Sequence, residues 1–267
     1  MLLDYIYRME LEFSEPVRDQ YFSLMCLPRD TERQHAYEPE ISVRPDIRLM
    51  RDTDGMGNIR LYGAVFEPHD SFGIMVEGQV ETSSSPHEEY EDPGSVELYR
   101  WLTPSEFTTA GSCVKKLYDE KSSDAPEDQY GRALYYAGVV RDALRYVPGS
   151  TDSWTSAEQA LALGSGVCQD FAHVYIALLR LAGIPARYTV GMMQGEGASH
   201  AWAEANCRGY WYGIDPTNAL LIDENYIKIS HGRDYRDCMI SRGIFSNPRA
   251  LQTMKASVMV RPQPDGK

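Results

Sequence analysis

The sequence predicts an α+β fold in two parts: a β-sandwich-like N-terminal domain over residues 1–92, and a second domain over 93–267 in which a cysteine-bearing helix packs on an antiparallel sheet. Three observations carry this expectation. Segments up to residue 92, such as YIYRMELEF, alternate polar and apolar residues with period two, as half-buried strands do. A run from Phe171 to Ala182, apolar on most sides, starts just after two glycines and stops at Gly183 and Pro185, which reads as a buried helix. Beyond it, alternation over 199–206 and the aromatic run 210–212 flank Arg208 and Gly209, which reads as two strands joined by a tight turn.

In the N-terminal part, PVRDQYFSLMCLP supports a second strand after the first. IRLMRDTDGMGNIRLYGAVF has the shape of a hairpin about residues 54–58, and FGIMVEGQVET continues as a strand. No chemistry of its own is expected of this part. SSSPHEEYEDPGS, residues 83–95, is polar, acidic and proline-bearing, so it reads as a solvated linker, with His87 a solvated residue rather than a metal ligand.

The second part opens with two predicted helices, over about 104–120 and 126–146. Pro104 and Pro126 suit first-turn positions, and Ala133, Tyr136, Ala137, Val140 and Leu144 share one face. Cys113 falls in the first of these and is read as packed. A short helix over 156–163, capped by Thr155 or Ser156, leads to Gly164 and Gly166. Cys168 therefore sits in the first turn of the next helix, where unpaired backbone N–H groups and the positive end of the helix dipole stabilise a thiolate and make the sulfur nucleophilic. Asp170, two residues on, opposes this unless it turns away or bonds loop N–H groups; it is adequately explained as a first-turn acid. His173 lies roughly 140° around the helix from Cys168, too far to serve the sulfur, and reads as a core histidine bonded locally.

The better partner for Cys168 is His200. With a two-residue loop, Cys207 pairs with Tyr210, His200 falls opposite Thr217, and Asp215 lies diagonal to His200 on the same face; a four-residue loop places the two directly opposite. Either register leaves carboxylate and imidazole within about 5 to 8 Å at the Cβ level, a gap their side chains bridge, whereas a three-residue loop without a bulge separates their faces. Ala201, Ala203 and Ala205 leave the other face of the strand free for close packing. The segment IPARYTVGMM should run beside the His200 strand, and LQTMKASVMV reads as a closing strand before a loose tail, RPQPDGK.

Composition narrows the function. Thirty-nine acidic against 26 basic residues give a formal charge of −13, which disfavours a phosphate backbone as partner, and no apolar run is long enough for a membrane helix. Five cysteines without close pairs form neither a disulfide framework nor a zinc ribbon; a zinc site from Cys168, His200 and Asp215 lacks local ligand spacing. The N-terminal stretch MLLDYIYRMELEF does not read as a secretory signal, so a cytoplasmic location is expected.

Cysteine at a helix start, then histidine and aspartate on neighbouring strands, is the generalised triad of covalent acyl chemistry. Here GVCQDFAH, ASHAW and YWYGIDPTN resemble the three motifs of the transglutaminase-like superfamily, in its bacterial branch. The likeness runs on through residues 226–245 and more weakly back to residue 1. It implies a papain/transglutaminase-like core, with Cys168 as nucleophile, His200 as base and Asp215 as the orienting acid. It also implies a peptide or amide substrate and no cofactor. The acceptor is left open between water, giving a cysteine peptidase or amidase, and an amine, giving a protein-glutamine transglutaminase; a binding module that has lost catalysis is the reading from another class. The acidic composition and the lack of a calcium-loop motif favour hydrolysis. Gln169, Tyr146, Trp154 and Trp202 are the candidate substrate-binding residues. Arg233 or Arg236 could meet a substrate carboxylate, or GRDYRD could be a charge-paired turn.

Overall fold

A single strand, Leu2–Leu24, organises the N-terminal half of the molecule, seen in a computed structural model that describes residues 1–92 and 94–263, with Glu89 described by its backbone alone. Leu3, Tyr5, Tyr7, Met9, Leu11 and Phe13 alternate onto its buried face. The two strands expected before residue 28 are this one strand, with its register broken between Glu12 and Val17 and again between Arg18 and Tyr21. Such bulges bend a strand, and here they let the chain serve a curled antiparallel sheet of nine strands among the described residues. The hairpin over Met50–Thr53 and Ile59–Val65 turns on Asp54, whose carboxylate accepts from the Met56 and Asn58 N–H groups.

The C-terminal chain returns to this sheet. Ser241–Ser246 pairs with the far half of the first strand, and Gln252–Pro262 pairs with its near half from Phe13↔Gln252 to Leu3↔Pro262. A division at residue 92 thus follows the sequence but not the sheet, which is built from both ends of the chain. The strand also takes in Arg261 and Pro262, expected to be loose; residues 264–267 of that tail lie outside the described residues.

The second sheet is six-stranded among the described residues, and the buried helix Cys168–Leu181 covers it. Ala201, Ala203 and Ala205 lie under the helix, where small side chains permit close approach. The helix ends at Gly183, whose φ of +72° closes the turn. Ser156 caps Ala157–Leu163 through a capping box with Gln159, as the sequence allowed.

Two expectations are corrected here. The helix predicted from residue 104 is Ser112–Lys121, because Glu158 from the neighbouring helix caps it, its oxygens accepting from the Cys113 and Val114 N–H groups at 2.7 and 3.1 Å. Residues 83–95 are not a solvated linker throughout. Glu88–Tyr90 adds a strand to the second sheet beside Tyr210 and Trp211, Glu88 is 3% exposed, and His87 packs on the Tyr210 and Tyr212 rings. An acid inside a polar run looks solvated; only the buried Arg187 and Lys228 that meet Glu88 explain its burial.

Candidate active site

The two-residue turn at Arg208 and Gly209 fixes the geometry of the site. Both residues have positive φ, 54° and 95°, as a hairpin turn of this length favours, and Cys207 pairs with Tyr210. In that register Asp215 is diagonal to His200, and its Oδ2 lies 2.8 Å from His200 Nε2. Asp215 is fully buried, yet well supplied with donors. Its Oδ1 accepts from the Thr217 N–H at 2.8 Å and the Asn218 N–H at 3.4 Å, and its Oδ2 also accepts from Asn218 Nδ2 at 2.7 Å and the Tyr226 hydroxyl at 3.0 Å. Burial alone would favour the neutral acid, but His200 and these donors hold the carboxyl below its ordinary range.

With Nε2 engaged by Asp215, the other nitrogen of His200 remains for Cys168, which lines the same cavity and interacts electrostatically with the imidazole. Burial would lower the basicity of His200; the bonds to Asp215 and Cys168, together with their charges, raise it to about 10. Cys168 opens its helix, one residue after Val167, and is partly exposed. Asp170 does not oppose the sulfur, because its Oδ2 turns back to the Val167 N–H at 2.7 Å and the Thr151 hydroxyl at 2.6 Å. Gly166 is needed for this turn, since a Cβ there would lie 2.6 Å from Asp170.

The cavity holding Cys168 and His200 measures about 250 Å³ and lies where the two sheets meet. Val167, Gln169, Tyr188, Val190 and Tyr235 line it from the second region, whereas Tyr7, Met254 and Ala256 line it from the N-terminal sheet.

Family models match along both parts of the chain: the transglutaminase-like superfamily over residues 116–216, and the bacterial transglutaminase-like N-terminal region over residues 3–81. Residues 116–216 thus form a transglutaminase-like core. Its relatives include the uncharacterized protein Rv2569c of Mycobacterium tuberculosis, 29% identical with 96% of this chain and 91% of that protein covered. The uncharacterized protein ML0607 of Mycobacterium leprae is also 29% identical, with 88% and 89% covered. A crystal structure of a candidate cysteine protease from Cytophaga hutchinsonii shares the fold, with a TM-score of 0.77 at 23% identity over 100% of this chain and 93% of that one.

The other sequence-predicted residues sort differently. Gln169 lines the cavity, but its amide nitrogen donates to the Ser153 carbonyl at 3.2 Å, so it is tied to the loop. Tyr146 is 54% exposed at the edge of the site, packed on Phe171 and within the electrostatic reach of Cys168 and Asp215. Trp154 is also on the surface, stacked on Phe107 with the Arg236 guanidinium 5.8 Å from its ring. Trp202 does not reach the cavity. It shares the face of His200 by strand parity, but that face is sealed: the indole is fully buried against Ile222 and Tyr226, its ring centroid 6.4 Å from that of His200. Gly191 makes room for it, as a Cβ there would meet the indole at 2.4 Å.

His173 is a buried core histidine as expected, but its partner is distant in sequence: Nε2 accepts from the Tyr235 N–H at 3.1 Å. Burial lowers its basicity to about 3. GRDYRD is the charge-paired turn, with Arg233 on Asp237 and Arg236 on Glu106. Sequence reasoning missed Tyr7, Met254, Tyr188 and Tyr226. The Asp-Pro-Thr-Asn string did carry a signal for the turn at Asp215, because Asp side chains commonly bond the backbone two residues on, here the Thr217 N–H. Nothing in the alternation of the first strand said that Tyr7 would line the cavity of Cys168.

Proposed function

We propose that the protein is a thiol hydrolase of peptide or amide bonds, acting through Cys168, His200 and Asp215. The observation that carries this reading is the 2.8 Å contact that commits one imidazole nitrogen of His200 to Asp215 while the ring and Cys168 share a cavity. The Cys168 sulfur attacks the carbonyl carbon, forming a C–S bond, and the carbonyl oxygen takes up charge beside the Cys168 backbone N–H, which has no partner within the helix. The thiol proton, held on His200, passes to the leaving nitrogen as the C–N bond breaks. Water then attacks the thioester carbonyl, giving a proton back to His200; a C–O bond forms, the C–S bond breaks with its electron pair on sulfur, and the acid is freed. Asp215 fixes the imidazole and stabilises its cationic form.

Water is favoured over an amine because none of the described cavity-lining side chains is acidic, so none of them draws in a protonated lysine. Five free cysteines fit a reducing compartment, and we assign the activity to the cytoplasm. The test is digestion of a mixed peptide library with and without an added primary amine, read by product mass. Hydrolysed products are expected, and Cys168→Ala should lower turnover by about 10⁴-fold or more. Full turnover by that variant, or amine-linked products dominating, would overturn the assignment.

A further inference from the structure

The N-terminal sheet was expected to carry no chemistry, yet it walls the cavity at the cysteine. Tyr7, which is 2% exposed, reaches the cavity from the first strand, and Met254 and Ala256 reach it from Gln252–Pro262. That wall is fixed. Gly195–Gly197, just before His200, pairs with Val258–Val260 of the same C-terminal strand, and Glu196 bonds Arg261 at 2.7 Å. At the junction, the Ile240 carbonyl accepts from the Met25 N–H at 2.8 Å, which holds Ile240 against the end of the first strand.

Beyond Cys168 and His200, the lining is aromatic, aliphatic, hydroxyl or amide, and no described lining residue is a lysine, arginine, aspartate or glutamate. A charged substrate side chain entering here loses water without gaining a partner, which is unfavourable. An apolar one gains by burial. During thiol hydrolysis the leaving amine departs and water enters, but the acyl part stays bonded to sulfur through both half-reactions. A persistent wall serves that part best.

We propose that Tyr7, Met254 and Ala256 form a specificity subsite for the residue that supplies the scissile carbonyl, and that this subsite takes an uncharged, apolar side chain. The subsite rests on the thiol-hydrolase reading above. It makes the sheet shared by the two chain ends a determinant of substrate choice rather than a passive support. Met254 and Ala256 are both surface residues of the strand, so changing them leaves the buried cores intact.

The experiment measures kcat/KM on peptides that differ only at the carbonyl-donating residue, comparing leucine and alanine with aspartate, glutamate, lysine and arginine. The wild type should prefer leucine over every charged residue by about tenfold or more. Ala256→Phe, which fills the wall, should lower the leucine-to-alanine ratio by about tenfold, and Met254→Glu should raise the lysine-to-leucine ratio by a similar factor. Circular dichroism confirms that each variant is folded. Wild-type cleavage with a flat profile, or with a preference for charge, overturns the subsite alone, as do folded variants that both keep the wild-type profile. A wild type that cleaves no peptide of the set overturns the hydrolase reading and the subsite with it.

Discussion

One strand, His200–Cys207, carries two buried polar clusters that end in opposite conditions. At its start, His200 leans on Asp215 and faces a cavity with Cys168. Four residues on and sharing the same face, Glu204 accepts from Arg187 and from Lys228 Nζ at 2.8 Å, while Glu88 accepts from the same lysine at 2.7 Å and from Arg187 at 3.3 Å. The Arg187 guanidinium also lies 4.2 Å from the Trp211 ring centroid. Burial would push Glu204 toward its neutral form, but the charges of Arg187 and Lys228 hold its carboxyl below the ordinary range. The physics is shared, since each cluster keeps a buried charge by surrounding it with opposite charge and donors. The difference lies in closure. Glu204 and Lys228 are sealed in, whereas the histidine cluster stops at a sulfur that opens into a cavity. Of the two networks, only the histidine cluster is left one partner short on its solvent side.

Substitutions at the two clusters should therefore separate activity from stability. Asp215→Asn is the most damaging to turnover, with an expected loss of 10²- to about 10⁴-fold in kcat, because the amide no longer holds the imidazole in its useful tautomer or offsets its charge. Circular dichroism should show it folded. A variant with near wild-type kcat would break the comparison from the active side.

Lys228→Met should act in the opposite sense. Removing one partner of a buried ion pair typically costs about 3–5 kcal/mol, because the remaining carboxylates lose their counter-charge. Urea unfolding should register that loss, while kcat per folded molecule stays within a few-fold of wild type. A large fall in kcat without a fall in stability would mean that the sealed cluster acts on the site.

The pH dependence sharpens the contrast. The folded-state basicity of His200, raised to about 10, exceeds its ordinary value near 6.5. Its contribution to stability is thus fully present below pH 6.5 and is lost as the pH climbs toward 10. The stability gap between wild type and His200→Gln should narrow over that window in urea midpoints measured at successive pH values. Asp215, held low, contributes above its unfolded-state value, and that contribution disappears in acid as the pH falls through its folded-state value. A gap that stays constant from pH 6 to 10 would remove His200 from the charge pair.

The smallest effect belongs to Tyr226→Phe. It removes one of the donors on Asp215 and should cost about 0.5–1.5 kcal/mol in stability, with kcat lowered less than about tenfold.

Much of the site could be read from the chain because it depends on local rules. Glycines at 164 and 166 ahead of an apolar run place Cys168 at a helix start, and a two-residue turn at 208–209 sets the His200–Asp215 diagonal with no knowledge of the rest of the molecule. Period-two alternation likewise made Tyr7 an inward residue of its strand. Tertiary structure alone decided which inside that was. Tyr7 and Met254 stand 247 positions apart, yet both line the cavity that holds Cys168 because the first and last strands pair. Trp202 and Glu88 were misjudged for the same reason: parity and composition give a face or a polarity, but burial depends on what other segments bring to that face. Hydrogen-bond geometry along a helix or across a hairpin is specified by neighbours in sequence, whereas packing between distant strands is settled only by the free energy of the whole assembled fold.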